Sequence, residues 1–145
     1  MTELPKNQNT TIIPTLRYRD GAAAIEWLCR AFGFEKQLVV LDNNGAVAHA
    51  QLVYGGGMVM LGSPTNNEFH KLIKSQLESG GLGSQSAYIF VSDLDSHYKH
   101  AVAAGAEVVI ELKTEDHGGR SYSCRDPEGH IWNFGSYDPW AVSNS

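Results

Sequence analysis

Leu16-Arg17-Tyr18-Arg19-Asp20 and the later Gly33-Phe34-Glu35 bracket a stretch that the chain uses twice. Tyr88-Ile89-Phe90-Val91-Ser92-Asp93 opens the second copy and Gly105-Ala106-Glu107 closes it. Asp20 and Asp93 are 73 residues apart, while Gly33 and Gly105, like Glu35 and Glu107, are 72 apart. In each copy an apolar run precedes an aspartate, whose carboxylate can accept from the unpaired N–H groups of a first helical turn. A glycine then stands where the chain must leave the helix in the left-handed conformation. One strand–helix–strand unit therefore occurs twice. A duplicated unit predicts two sheets wrapped around a shared groove, and that groove is where function is expected.

Working outward, residues 11–18 are rich in Thr, Ile, Leu and Tyr and read as a strand. Ala24, Trp27, Leu28 and Ala31 then recur at helical spacing and give one apolar face. Strands are expected at 37–41, 47–54 and 58–61, with Asp42-Asn43-Asn44-Gly45 and Gly55-Gly56-Gly57 as the turns between them. The second copy repeats the order. It has a strand at 86–91, a helix face of Leu94, Tyr98, Ala101, Val102 and Gly105, and strands at 107–112, 120–125 and 131–135. Asp126-Pro127-Glu128-Gly129 is a turn sequence, with proline at its second position and glycine at its fourth. Residues 63–85 join the copies and carry a short amphipathic piece around 69–73; a connector of that length suits a lid or binding loop.

The 145 residues suit one domain of two small halves, each of which depends on the other for burial. That domain is expected over 11–140: module one 11–62, connector 63–85, module two 86–140, with flexible tails at 1–10 and 141–145. A net charge of −5 argues against nucleic acid and anionic membrane surfaces as partners. Cys29 and Cys124 make no disulfide framework and read as buried thiols. No signal peptide or long apolar run is present, so a cytoplasmic location is expected. Phosphate-cradling glycine loops, nucleophile elbows and paired-cysteine zinc spacings are missing from the sequence.

The two βαβββ units, the Gly-Phe-Glu and Gly-Ala-Glu helix exits and the run Asp126-Pro127-Glu128-Gly129-His130-Ile131-Trp132 resemble the vicinal-oxygen-chelate superfamily. That group includes glyoxalase I, bleomycin-resistance proteins and extradiol dioxygenases, and the resemblance covers residues 11–140. Ala48-His49-Ala50-Gln51-Leu52 and Gly119-Arg120 look most like its bacterial glyoxalase-like members. The resemblance implies an α+β fold of two tandem βαβββ modules, with curved mixed sheets around a shared groove and helices outside. It also implies a homodimer, because members commonly complete the pocket across two chains. Metal-dependent members carry ligands at positions that correspond here to Ile13, Gln51, Ser86 and Asn133. Isoleucine cannot ligate, serine and asparagine are weak donors, and no anionic group is left to balance a divalent cation. The expectation is no metal and no cofactor.

Strand alternation then sorts what lines the groove. The inward set is Thr15, Arg17, His49, Gln51 and Val53 in module one, with Ser86, Tyr88, Phe90, Ile131, Asn133 and Gly135 in module two. Trp132 and Phe134 should pack against the helices. Gln51, Tyr88, Phe90, His117, Arg120, Tyr122 and Asn133 are the candidate ligand-binding residues. His49 is the candidate general base, against a structural histidine as the plainer reading. Arg120 could fork onto a carboxylate or phosphate, or pair with Asp126 or Glu128. His130 reads as structural within the turn, Tyr122 as core, and His97 and His100 as a solvated helix surface. Three functions compete. One is a metal-free protein that binds a small hydrophobic or cationic molecule. The second is a lyase, isomerase or dioxygenase-type enzyme, metal-dependent or using His49. The third is an accessory module with no ligand.

Overall fold

The computed structural model describes residues 10–64, 72–116 and 118–141. Module one runs β1 (Thr15–Arg17), α1 (Gly21–Phe32), β2 (Glu35–Leu41), β3 (Val47–Tyr54) and β4 (Gly57–Gly62). Module two runs β5 (Ala87–Phe90), α2 (Leu94–Ala103), β6 (Glu107–Thr114), β7 (Arg120–Arg125) and β8 (Ile131–Gly135). Each makes a four-stranded mixed sheet, ordered β1-β4-β3-β2 and β5-β8-β7-β6, with its first strand parallel and the rest antiparallel. The fold is α+β with two tandem modules, as the repeat predicts. A short helix, α3 (Pro139–Ala141), follows β8.

The local chemistry sets these boundaries. The Asp20 carboxylate accepts from Ala23 N and that of Asp93 from Ser96 N, so each helix starts where its aspartate stands. Gly33 leaves α1 at a φ of 87°, which a side chain would make costly. The exit of α2 differs: Ala104 caps it at an ordinary φ of −85°, and the left-handed turn comes one residue later, at Gly105. β1 is shorter than the 11–18 expected. Pro14 has no N–H to extend the ladder and contributes only its carbonyl, which accepts from Met60 N. Residues 65–71, which hold most of the amphipathic piece expected in the connector, lie outside the described residues.

The helices cover one face of each sheet and pack on each other. Trp27, expected in the core, is buried and donates its indole N–H to Ala104 O at 2.7 Å. Phe32 at the end of α1 meets Trp27, Trp132, Phe134 and His97, so the two modules share one aromatic core. Trp132 and Phe134 do face the helices, at 1% and 0% exposure. His97 corrects the expectation of a solvated surface. The ring lies off the apolar stripe of α2, but α1 lies alongside α2 and partly covers it through Phe32.

The Asp-Pro-Glu-Gly turn fastens the modules together. The Asp126 carboxylate, 5% exposed, accepts from Tyr18 Oη and Trp132 Nε1 and from the backbone N–H groups of Glu128 and His130. Glu128 reaches the start of α1, where its two oxygens accept from Arg19 N and Asp20 N at 2.6 and 2.8 Å. His130 takes the structural role expected of it, with Nε2 against Arg17 O and its ring on Tyr18.

Candidate functional site

The register of each sheet builds a row of side chains across the face that the helices leave open. In module one the central row is Thr15, Met60, Gln51 and Leu38. In module two it is Tyr88, Asn133, Ser123 and Ile110. Each residue of the second row follows its counterpart in the first by 72 or 73 positions. The duplication therefore places equivalent side chains at the centre of both inner faces.

Hydrogen-bonding side chains occupy both centres. Asn133 donates through Nδ2 to Ser86 Oγ at 2.8 Å and to Ala87 O at 3.0 Å, and its Oδ1 accepts from Ser123 Oγ at 2.6 Å. On the other face Gln51 Nε2 donates to Gln37 Oε1 at 2.6 Å, while Gln51 Oε1 lies 2.8 Å from His49 Nε2. An amide oxygen only accepts, so His49 donates through Nε2. Gln37 reaches this network because β2 bulges between Lys36 and Leu38, which turns an extra residue onto the inner face.

Apolar surface surrounds these groups. Leu38, Val40, Tyr88, Phe90 and Ile110 each keep more than two-fifths of their surface exposed in the single chain. Tyr88 lies over Gly135, which has no side chain to displace it, and its hydroxyl donates to Tyr137 O at 2.7 Å. Partial burial pushes its phenol pKa up.

Some expected members sit elsewhere. Arg17 is buried and donates to Ser63 O at 2.9 Å. Arg120 faces the helices, where Nη1 pairs with both Asp95 oxygens at 3.0 and 3.1 Å rather than with Asp126 or Glu128. Tyr122 shares that side at 0% exposure and contacts His97 Nδ1 at 2.7 Å, which matches the reading as core. Burial lifts its pKa well above the ordinary phenol value. His117 lies outside the described residues. Ser123, Gln37, Met60, Leu38 and Ile110 were missed, although the 72–73 offset applied to Gln51 and Asn133 would have found Ser123 and Met60.

The residues at the metal-ligand positions do not fit a divalent cation. Ile13 has no donor atom, and the side chains of Gln51, Ser86 and Asn133 are already engaged with one another or with neighbouring neutral groups. Among the described residues, no three His, Cys, Asp or Glu side chains come together in a way that could hold a metal. Among them too, no helix is long and apolar enough to cross a membrane.

Comparison with known proteins agrees with this architecture. A protein of Mycobacterium bovis whose function is uncharacterised is 30% identical over 129 residues, covering 89% of this chain and 84% of its own. A Mycobacterium tuberculosis protein, also uncharacterised, is 30% identical over the same share of this chain and 75% of its own. Among solved structures, TioX from Micromonospora sp. ML1 is 32% identical with a TM-score of 0.69, over 88% of this chain and 98% of TioX. The fosfomycin resistance protein FosX from Mesorhizobium loti, 14% identical with a TM-score of 0.57 over 90% of this chain and 94% of its own, shares the fold. The family model for the glyoxalase/bleomycin resistance protein/dioxygenase superfamily matches residues 11–134. The chain belongs to that superfamily.

Proposed function

We propose that this protein binds a small, flat, largely apolar molecule between its inner faces without a metal. The observation that carries this reading is the pair of hydrogen-bonded centres without a carboxylate, Asn133 with Ser86 and Ser123, and Gln51 with His49 and Gln37. Both stand among half-exposed apolar and aromatic side chains. Amides and hydroxyls orient a ligand by hydrogen bonds, and aromatic faces supply the buried area.

A single chain leaves these faces open, so a second copy completes the pocket in this reading. Leu38 and Val40 on the inner face of β2 and Val39 and Leu41 on its other face are all exposed. Apolar surface of that extent on an edge strand favours association.

Calorimetry of the full chain against planar aromatic and heteroaromatic compounds tests binding, with Asn133→Ala and Phe90→Ala as controls. Uniform silence from a folded sample would count against it. Near-stoichiometric metal in protein purified without chelators would remove the metal-free part. An enzyme using His49 as general base is the alternative. Turnover that disappears in His49→Ala would establish it.

A further inference from the structure

The hydrogen-bond chain at the centre of module two has a fixed direction. The backbone carbonyl of Ala87 can only accept, so the Asn133 atom 3.0 Å from it is the amide nitrogen. The second hydrogen of that nitrogen goes to Ser86 Oγ at 2.8 Å. Asn133 Oδ1 is then the atom that meets Ser123. An amide oxygen carries no hydrogen, so the Ser123 hydroxyl donates to it, at 2.6 Å. One backbone carbonyl thus sets the polarity of both side chains.

Both Asn133 amide hydrogens and the Ser123 hydroxyl hydrogen are therefore consumed within the protein. What Asn133 Oδ1 and Ser123 Oγ still hold is lone pairs. Ser123 stands in the open-face row with only 8% of its surface exposed, and Asn133 beside it is half-buried. In so dry a place a mismatched partner is costly, because a ligand oxygen gives up its water and meets another lone pair. Ser86 is exposed and its hydroxyl hydrogen can bond to water, so it adds little preference. The equivalent place in module one lacks this lock. Gln51, 72 positions before Ser123, bonds only to the side chains of His49 and Gln37, and the three can reverse their roles together.

We propose that the centre of module two selects a ligand that offers it an N–H or O–H hydrogen, and rejects carbonyl, carboxylate and phosphate oxygens at that point. Asn133 and Ser123 set the preference, and the Ala87 carbonyl holds them in the orientation that enforces it. The inference rests on the reading that a small flat molecule binds at the inner faces, and adds which chemistry its edge carries there. Module one, whose chain can run either way, accepts a donor or an acceptor from the same molecule.

The test is an amide NMR titration of the 15N-labelled full chain with indole, benzofuran and quinoline. All three are flat and of similar size, but indole alone carries a donor, and quinoline carries an acceptor nitrogen. Apolar burial by itself favours benzofuran, which gives up less water than indole. Indole should shift and saturate the β7 and β8 amides and bind about fivefold tighter than the other two, the net worth of one hydrogen bond. In Asn133→Leu the Ser123 hydroxyl loses its acceptor and can turn to donate outward, so the gap should close to within about twofold. The comparison within the parent protein stands even if that variant fails to fold. Benzofuran or quinoline binding the parent as tightly as indole would overturn the selectivity and leave inner-face binding intact. A gap that survives in Asn133→Leu would overturn the assignment to Asn133, and no saturation by any of the three would remove both readings.

Discussion

The phenol of Tyr18 donates to the carboxylate of Asp126, 108 residues later in the chain. Through this contact the residue that follows β1 is fastened to the last turn of module two. The carboxylate also serves Trp132 and two backbone N–H groups of its own turn. A buried anion of this kind is stable only while its donors are in place. Beside it, burial and the Asp126 charge raise the Tyr18 pKa far above the ordinary phenol value, so the hydroxyl keeps its proton.

Replacing Asp126 with alanine should therefore cost about 2–4 kcal/mol, because the Tyr18 hydroxyl and Trp132 indole lose a charged acceptor in a dry site. Tyr18→Phe should cost only about 1 kcal/mol, since the carboxylate keeps its other donors. Urea denaturation followed by tryptophan fluorescence measures both. Equal losses would show that Asp126 does not organise the contact.

His97 makes stability depend on pH. Its Nε2 donates to Phe32 O at 2.9 Å, which leaves Nδ1 to accept from Tyr122 Oη. Desolvation lowers its pKa, the Phe32 carbonyl opposes that, and His100 adds to it. The folded chain thus favours the neutral ring, and the unfolded chain binds the extra proton first. The contribution is complete above the unfolded value of about 6.5 and is lost as pH falls from there through the lowered folded value. In His97→Gln, the fall in melting temperature between neutral and mildly acidic pH should be smaller than in the parent protein.

Leu38 and Val40 give a direct test of association. Each is exposed in the single chain, so an aspartate there should not disturb the fold. Val40→Asp should shift sedimentation from dimer to monomer at micromolar concentration, with circular dichroism unchanged. A parent protein that sediments as a monomer would remove the two-chain pocket.

Gly135 tests the seat of Tyr88. A Cβ at this position would strike the phenol oxygen and ring of Tyr88. The ring can swing away, because it is only partly buried and held by one hydrogen bond, to Tyr137 O. Gly135→Ala should lower stability by about 1 kcal/mol. It should reduce affinity for an inner-face ligand about tenfold, which is 1.4 kcal/mol. Calorimetry beside thermal melting separates the two effects.

Much of this architecture could be read from residue types with a local mechanism. Asp20, Asp93 and Gly33 mark their helix ends because capping is a matter of a few adjacent atoms. Alternation along β8 correctly separated Asn133 from Trp132 and Phe134, since side chains of a strand must change sides at every step. Contacts between elements far apart were not legible. The partial burial of His97 depends on where α1 lies, and the Arg120 partner, Asp95, sits on a helix that no local pattern relates to β7. The turn of Gln37 onto the inner face follows from a bulge, which shifts parity without leaving a mark in the composition.

That alternation has a consequence for how such a chain can change. On β8, Trp132 and Phe134 hold the modules together, while Ile131, Asn133 and Gly135, which alternate with them, face the open side. β3 divides in the same way, with Ala50 and Leu52 inside and His49, Gln51 and Val53 on the other side. Every second residue can be exchanged while the interlocked aromatic layer stays as it is. The molecule can acquire a new chemical preference by single steps, none of which asks it to relearn its shape.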